Sequence, residues 1–205
     1  MQKRSRADTE QKLIGVALEH IHRKGVLAGL NLREVAQGAG VNRGNIYHYF
    51  GSRRELLRAA INHRFAAMSD ALKADRSRTT LVERRLRPFR AKDSVRDSQL
   101  RALLVIDGDD TVDPMPMYES ALSQLRQGVI DGDIDRGHDL EALQVILNAA
   151  LRGYRIFRVP YARRLGIKVS ELDQRVSNSI RFWFAALAHA PESVSGKQDS
   201  SSRQR

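Results

Sequence analysis

Apolar residues recur three or four positions apart along almost the whole chain, and this spacing constrains the fold more than any other feature. Residues spaced in this way lie on one face of an α-helix, whereas a half-buried strand needs alternation with a period of two. No run with a convincing period of two is present in the sequence. The clearest helical stripe contains Leu57, Ile61, Phe65, Met68 and Leu72. The sequence therefore predicts an all-α protein.

Short polar residues beside these stripes predict where the first four helices begin. Their side chains can accept hydrogen bonds from the free amides of a first helical turn. Such caps are predicted at Asp8 with Gln11, at Asn31 with Glu34, at Asn42, and at Ser52 with Glu55. Gly25 and Gly40 are expected to end the first and second helices.

Five further helices are predicted after the fourth. They cover 81–91, with a break or kink at Pro88, then 95–106 and 118–129, and finally two long apolar segments near 139–158 and 170–189. The last helix is expected to begin at Ser170, capped toward Asp173. Residues 191–205 contain a single large apolar residue, Val194, so they are predicted to form a disordered tail.

The formal net charge of +11 is distributed unevenly along the chain. Residues 1–64 contain 12 basic and 5 acidic residues, whereas residues 107–150 contain 2 basic and 10 acidic residues. The basic segment favours a polyanionic partner such as DNA, and a solvated basic surface is the alternative. The sequence contains no cysteine, no signal peptide and no run of 18 apolar residues, so we expect a cytoplasmic protein with no membrane partner.

Metal and catalytic sites are not indicated by the sequence. The acidic turn at 131–135 fails as a calcium loop, because Arg136 and Ala142 occupy the places of its glycine and closing glutamate. The six histidines lack zinc-binding spacing. Neither a phosphate loop nor a GxSxG elbow is present. We therefore expect no metal, no cofactor and no enzymatic activity.

The second predicted helix, the glycine-containing turn at 38–41 and the third predicted helix together have the proportions of a helix-turn-helix. The second helix of such a unit enters the major groove and brings its amino-terminal end close to the base edges. Arg43 is suited to guanine and Asn45 to adenine, while Gly44 would let the backbone approach the DNA. Tyr47 and His48 are suited to phosphate or thymine methyl contact; for Tyr47 the alternative is packing between helices, and for His48 it is a solvated surface position.

Other residues of this segment are expected to be structural or to contact the DNA backbone. Ile46 and Phe50 have core spacing and should point inward, with Tyr49 as a further candidate. Asn31 and Arg33 in the second helix are weaker candidates for contact with the DNA backbone.

The run LREVAQGAGVNRGNIYHYFGSRRELL at 32–57 closely resembles the amino-terminal signature of the TetR family of transcriptional regulators. Asn42, Gly51 and Arg53 depart from the family's usual Ser or Thr, Pro and Lys, but each keeps the physical role of cap, turn or cation. The residues that match are Ala39, Gly40, Val41, Tyr47, Tyr49, Phe50, Ser52, Leu56 and Leu57.

The resemblance implies an architecture and a set of partners. It implies a helix-turn-helix DNA-binding domain at 1–52, and a helical domain at 53–190 that binds a small molecule and forms a homodimer. The dimer would form through the helices near 139–158 and 170–189, for which ordinary packing within one subunit is the alternative. Tyr47 and Arg53 would hold DNA phosphates. The expected DNA-binding residues are Asn31, Arg33, Asn42, Arg43, Gly44, Asn45, Tyr47, His48 and Arg53.

The ligand pocket is less strongly indicated, because residues that could line an apolar cavity are also suited to an ordinary core. A polar row at helical spacing, Gln144, Asn148, Arg152 and Arg155, lies beside the apolar face of the eighth helix, where a solvated face explains it equally well. The candidate ligand-binding residues are Met68, Leu72, Phe89, Leu103, Leu104, Met117, Tyr118, Asn148 and Arg152.

The resemblance, together with the basic amino-terminal segment, implies a repressor that leaves a palindromic DNA operator when a small molecule binds. Two alternatives remain open at this stage. One is a DNA-binding protein without an effector, and the other is a helical enzyme or carrier on a repurposed scaffold.

Overall fold

A computed structural model describes residues 5–27, 31–74, 80–90 and 94–189, and these segments contain nine α-helices and no strand. The predicted all-α class is confirmed. The predicted tail at 191–205 lies outside the described residues. The helices are α1 (Arg6–Lys24), α2 (Leu32–Ala39), α3 (Arg43–Phe50), α4 (Arg53–Ala74), α5 (Leu81–Arg90), α6 (Ser94–Ile106), α7 (Tyr118–Ile130), α8 (Leu140–Leu165) and α9 (Val169–Ala186).

The first three helices and the beginning of α4 enclose one hydrophobic cluster, called here the amino-terminal core. Leu13 of α1, Val35 of α2 and Ile46 of α3 are fully buried in it, and Leu56 and Ala60 add the contribution of α4. Burial of each large side chain stabilises the fold by about 1.5–3 kcal/mol. The short helices α2 and α3 are therefore held in place by packing rather than by their own length.

Two further clusters hold the remaining helices. The junction core joins α1, α4 and α6 through Ile21, Ile61 and Leu100. The carboxyl-terminal core joins α5, α7, α8 and α9, with Leu125 and Phe184 near its centre. The junction core thus links the first three helices to the larger helical part.

The predicted caps of α2, α3 and α4 are confirmed, and that of α1 is wrong. Ser5 caps α1: its hydroxyl accepts from the Asp8 amide at 3.1 Å, and the Asp8 carboxylate accepts from the Ser5 amide at 3.2 Å. Asp8 is therefore the third residue of the helix rather than its cap. The prediction failed because a capping box contains two residues, the cap and the third residue of the helix, within one turn. An aspartate is chemically suited to either of these positions.

The α9 cap is also not where it was predicted. α9 begins at Val169, and Lys168 precedes it without a side-chain cap. The carboxylate of Asp173, one turn further on, accepts instead from the Tyr154 hydroxyl at 2.7 Å and from Arg158 at 3.2 Å. The Asp173 side chain, which the sequence assigned to the capping of α9, therefore forms a tertiary contact with α8 instead.

Two helices continue through a proline. α5 includes Pro88 and ends at Arg90, and α8 runs through Pro160 to Leu165, past the predicted end near residue 158. Proline has no amide to donate to the carbonyl four residues earlier, which for Pro160 is that of Ile156. The side-chain amide of Gln99 on α6 donates to this carbonyl at 3.2 Å. Tertiary contact therefore replaces the hydrogen bond that Pro160 removes.

This substitution of donors predicts an energetic coupling between Gln99 and Pro160. Gln99→Leu should lower the free energy of unfolding by about 1 kcal/mol, because the Ile156 carbonyl loses its donor. The same change should cost less in a Pro160→Ala chain, where a backbone amide can donate instead. The hydrogen bond from Arg96 to the Gln99 side chain at 2.9 Å is lost in both backgrounds and cancels in the comparison. Urea unfolding of the four chains of this double-mutant cycle measures the coupling. An equal cost of Gln99→Leu in both backgrounds would contradict this account.

Candidate nucleic-acid interface

The turn between α2 and α3 has the geometry that the helix-turn-helix prediction requires. Gly40 ends α2 with φ 68°, and its amide donates to the carbonyls of Ala36 and Gln37. This left-handed conformation is strained for residues with a Cβ and is readily adopted by glycine. The chain therefore reverses within three residues, from Gly40 to Asn42, and starts α3 directly against α2.

Asn42 and Gly44 together form the beginning of α3. The Oδ1 atom of Asn42 accepts from the Asn45 amide at 3.1 Å and caps the helix. A Cβ atom built on Gly44 would lie 3.1 Å from the same Oδ1, which is a tight contact. Gly44 thus leaves room for the cap itself, a role that the sequence did not indicate beside its predicted approach to DNA.

The outer face of α3 carries a paired arginine and tyrosine. A guanidinium NH2 group of Arg43 donates to the Tyr47 hydroxyl at 3.1 Å, and the guanidinium lies 5.7 Å from the centre of the Tyr47 ring. Tyr47 is 44% exposed. One turn of helix therefore presents a cation and a hydroxyl that orient each other at the surface.

The inner face of α3 holds it against the amino-terminal core. Ile46 is fully buried, and Tyr49 and Phe50 pack against the same core from partly buried positions. His48 is exposed and its ring meets the edge of Tyr49 at 5.2 Å between centroids. The aromatic residues are thus divided between the two faces.

Five of the nine predicted DNA-binding residues line one surface depression of about 460 Å³. They are Asn31, Arg33, Arg43, Tyr47 and Arg53, and Leu32 forms the floor between them. Within the described residues its lining contains three arginines and no carboxylate. The depression therefore joins the beginnings of α2, α3 and α4 into one basic surface.

The remaining predicted DNA-binding residues lie on α3 or at its start, outside this depression. Asn42, Gly44 and His48 are exposed, and Asn45 is partly buried. Asn31 is already engaged: its Oδ1 atom accepts from the amides of Arg33 and Glu34. Asn31 is thus placed first of all as the cap of α2.

Neither of the two depressions described in this structure is lined by a predicted ligand residue whose side chain the structure describes. The side chains of Met68, Leu72 and Phe89 lie outside the described residues. Leu104 is buried in the junction core and Leu103 packs against it, so both are core residues. Met117 precedes α7 with φ 70°, and Tyr118 follows it with a pKa that burial raises above its usual value.

The two polar members of that predicted set lie on α8. Asn148 is partly buried, and Arg152 reaches across to donate to the Pro114 carbonyl. A cleft of about 490 Å³ lies elsewhere, between the end of α1, the start of α6 and the carboxyl-terminal part of α8. Its lining includes His22, Arg96, Gln99 and Arg158, none of which was predicted as a ligand residue.

Two arginines of α4 form ion pairs with the loop that follows α6. The sequence analysis did not predict these contacts. Arg58 forms a bidentate ion pair with Asp109 at 2.9–3.1 Å, and Arg54 contacts the Asp107 carboxylate at 2.7 Å. The sequence did contain a signal for these pairs. The two arginines lie four residues apart on one face of α4, and the two aspartates lie two residues apart in the loop. These pairs connect the helix that begins beside the depression to residues 107–109.

The Arg58–Asp109 pair predicts an acid-dependent loss of stability. Burial opposes ionisation of Asp109, but hydrogen bonds from Thr111 and Arg58 outweigh it and hold its pKa below the ordinary value. A carboxyl group of this kind stabilises the fold above the unfolded pKa of about 3.9. That stabilisation is lost as the pH falls from there through the folded pKa.

We therefore expect Asp109→Asn to be less stable than the parent at neutral pH, with a difference that shrinks as the pH drops below about 4. Urea midpoints measured from pH 7 to pH 2.5 on both chains test this expectation. A difference that stays constant over that range would show that the carboxylate contributes nothing to stability.

The described parts of the chain contain neither a candidate membrane span nor a candidate metal centre. No helix there is long and apolar enough to cross a membrane. No group of three or more histidine, aspartate or glutamate side chains there is placed to hold a metal ion.

Comparison with known proteins relates the segment that contains this depression to a family. The sequence model of a family described as bacterial regulatory proteins, tetR family, matches residues 13–60. This range begins in α1 and ends in α4, and it covers the helix-turn-helix and the whole depression. No curated protein sequence matches the chain.

Solved structures resemble the whole described chain at low sequence identity. A TetR-family transcriptional regulator from Cytophaga hutchinsonii aligns with a TM-score of 0.66 and 16% identity, over 91% of this chain and 98% of that one. The fatty acid degradation regulator FadR from Bacillus halodurans gives 0.61 and 16%, over 87% and 96%. A gamma-butyrolactone receptor, described as an ArpA-like protein, gives 0.54 and 21%, over 89% and 96%.

At these identities the structural similarity shows the fold, and the family model adds a match for residues 13–60. Residues 13–60 therefore form the helix-turn-helix domain of the TetR family of transcriptional regulators, in a chain whose described helices have the fold of that family's solved members.

Proposed function

We propose that this protein is a ligand-responsive transcriptional repressor. In the proposed mechanism a homodimer holds a palindromic operator and leaves it when a small molecule binds. The observation that carries the proposal is the basic depression in which Arg33, Arg43, Tyr47 and Arg53 meet at the starts of three helices. The proposal assigns no catalytic reaction to the chain and places the protein in the cytoplasm.

The proposed contacts divide into base reading and backbone anchoring. Arg43, at the first position of α3, would donate two hydrogen bonds to guanine, and Asn45 would bind adenine. Arg53, at the first position of α4, would hold a phosphate with help from the helix dipole. Tyr47 would stay beside Arg43 and donate its hydroxyl to the DNA backbone.

The proposed domain division assigns 1–52 to DNA binding and 53–190 to ligand binding and dimerisation. The amino-terminal core extends past this limit, because Leu56 and Ala60 of α4 belong to it. α4 would therefore be the shared element, packed with its first turns in one domain and continuing into the other.

Exposed apolar side chains support the proposed dimer interface on α8 and α9. Phe182 is 75% exposed, Ile146 is 62% exposed and Trp183 is 54% exposed. Large apolar side chains gathered on two adjacent helices are typical of a surface that another protein covers. A second copy packed on this face would form a four-helix arrangement with two-fold symmetry.

The proposed response to a small molecule is supported by the similar structures. One is described as a gamma-butyrolactone receptor and another as a fatty acid degradation regulator. Their fold covers most of this chain. We therefore propose that the helices after α4 bind an effector and transmit its presence to α3.

A gel-shift experiment tests the DNA-binding part of the proposal. The probe is DNA from upstream of the protein's own gene, and the parent is compared with the double variant Arg43→Ala, Tyr47→Phe. The parent should bind a palindromic site at moderate salt, and the double variant should bind it at least about tenfold more weakly, since each bidentate base contact is worth about 1–3 kcal/mol. Equal binding by the two proteins, or no binding by the parent, would refute it.

A further inference from the structure

Three arginines from two helices meet inside the larger helical part of the chain, and we call them the arginine cluster. Arg101 of α6 donates to the Asp113 carbonyl at 2.7 Å, and Arg152 of α8 donates to the next carbonyl, that of Pro114. The two guanidinium groups are therefore neighbours. Arg155 follows Arg152 by three residues on the same face of α8.

The arginine cluster has no carboxylate partner among the described residues. Arg101, Arg152 and Arg155 donate to backbone carbonyls only, and no acidic oxygen of the described chain lies within 4 Å of them. The nearest acids are engaged elsewhere. The Asp113 carboxylate accepts from the Met115 amide, and Asp97 contacts His22 and Arg64.

Burial makes this arrangement costly. Arg101 is 7% exposed, and the Nε atom of Arg152 is buried without a hydrogen-bond partner. Burial lowers the pKa of Arg152 to about 10, and it also lowers the pKa values of Arg101 and Arg155. The nearby carboxylates of Asp97 and Asp113 offset this effect only in part, and like charges held close together away from water destabilise a fold. Such a cluster is typical of a site completed by an anionic ligand.

A second observation on α8 points to the same interior face. Gln144, Asn148, Arg152 and Arg155 form one row at helical spacing. Gln144 is 4% exposed, and its Oε1 atom has no hydrogen-bond partner. It lies eight residues from Arg152, which corresponds to about 12 Å along a helix. The row therefore has a buried acceptor without a partner, the Gln144 Oε1 atom, at one end. Toward the other end it has a buried donor without a partner, the Arg152 Nε atom.

From this geometry we propose that the arginine cluster is the binding site for an oxyanion group, a carboxylate or a phosphate, of the effector molecule. A guanidinium fork matches either group with two parallel hydrogen bonds. The inference rests on the proposed function, because it names the chemical class of the effector that the repressor would detect. Of the ligand-binding residues expected from the sequence, it retains Arg152, and it adds Arg101 and Arg155.

The position of the cluster connects it to the DNA-binding part. Asp113 and Pro114 lie on the loop between α6 and α7, whose first residues are held by Arg54 and Arg58 of α4. An oxyanion that draws Arg101 and Arg152 away from the two carbonyls releases the far end of this loop. The change then reaches α4 through Asp107 and Asp109, and α4 begins beside the DNA-binding depression.

Thermal unfolding in different anions tests the proposal without knowledge of the effector. The full-length parent, Arg152→Met, Arg155→Met and the control Arg126→Met are melted in potassium phosphate, acetate and chloride at equal ionic strength. Arg126 is an exposed residue of α7 with no ion pair among the described residues. The phosphate and acetate arms show which oxyanion the site prefers.

Phosphate or acetate should raise the Tm of the parent and of Arg126→Met above the value in chloride. An anion at about ten times its Kd gives a shift of roughly 3–6 °C for a chain of this size. Arg152→Met and Arg155→Met should lose at least half of this rise. Anions bound at the DNA-binding depression would stabilise all four proteins alike, so the difference between variants isolates the cluster.

An equal rise in all four proteins, or no rise in the parent, would overturn the proposal. If Arg152→Met does not fold, the comparison of Arg155→Met with Arg126→Met decides it. Operator binding is measured separately by gel shift. If the parent fails to bind operator DNA in the gel shift, the proposed repressor function is refuted. The result of the anion experiment is then interpreted independently of that failure.

Discussion

Replacing Ile46 by alanine should lower the free energy of unfolding by about 2–5 kcal/mol, the usual cost of emptying a fully buried isoleucine position. Ile46 is 0% exposed and is the buried anchor of α3 in the amino-terminal core. A helix of eight residues has little stability of its own. The variant should therefore also lose α3, and with it specific DNA binding.

The neighbouring position on the outer face provides the control for this prediction. Tyr47→Phe removes only a surface hydroxyl and should change stability by less than about 0.5 kcal/mol. Urea unfolding followed by circular dichroism measures both variants. Equal losses at the two positions would mean that the division of α3 into an inner and an outer face is wrong.

Operator affinity should depend steeply on salt, and Arg53 should account for a defined part of that dependence. A protein that neutralises six to ten phosphates loses roughly 10³–10⁵-fold in affinity between about 50 and 200 mM salt. Arg53→Ala should reduce the slope of log K against log[salt] by about 1 per protomer and weaken binding to all sequences alike. Fluorescence anisotropy with labelled duplexes over a salt series gives the slope.

A surface arginine outside the depression serves as the comparison. Arg126→Ala removes the same charge from α7 and should leave the slope within about 0.3 of the parent. If Arg126→Ala lowers the slope as much as Arg53→Ala, then net charge rather than a phosphate contact explains the effect. The proposed role of Arg53 would then be abandoned.

The local rules of helix formation predicted the helix-turn-helix almost completely. The caps at Asn31, Asn42 and Ser52 and the inward direction of Ile46 follow from short-range spacing, and the structure has them as predicted. Short-range spacing also produced the error at Asp8, because a capping box contains two residues that can each serve as a cap. Sequence patterns of this kind identify a capping unit better than they identify its first residue.

The sequence could not predict features that depend on contacts between distant helices. α8 continues past Pro160 because Gln99 of α6 supplies a hydrogen bond, and no pattern within α8 reports that donor. Asp173 does not take part in the expected cap of α9, because its carboxylate accepts hydrogen bonds from Tyr154 and Arg158 of α8. In both cases a tertiary contact overrides a local preference.

The arginine cluster shows the same division between local and tertiary information. Helical spacing placed Arg152 and Arg155 in one polar row, for which a solvated face was an equally good explanation. Arg101 is fifty-one residues before Arg152 in the sequence, and only the packing of α6 against α8 brings them together. The arginine cluster is therefore recognisable only in the three-dimensional structure.

The most direct test of the central claim is selection of bound sequences from a pool of random DNA duplexes by the full-length protein. The selected sequences should contain an inverted repeat whose half-site centres are about 34–36 Å apart, one turn of DNA. The repeat should no longer be enriched by the Arg43→Ala, Tyr47→Phe variant. Recovery of unselected random sequence by the parent would contradict the claim that α3 reads DNA.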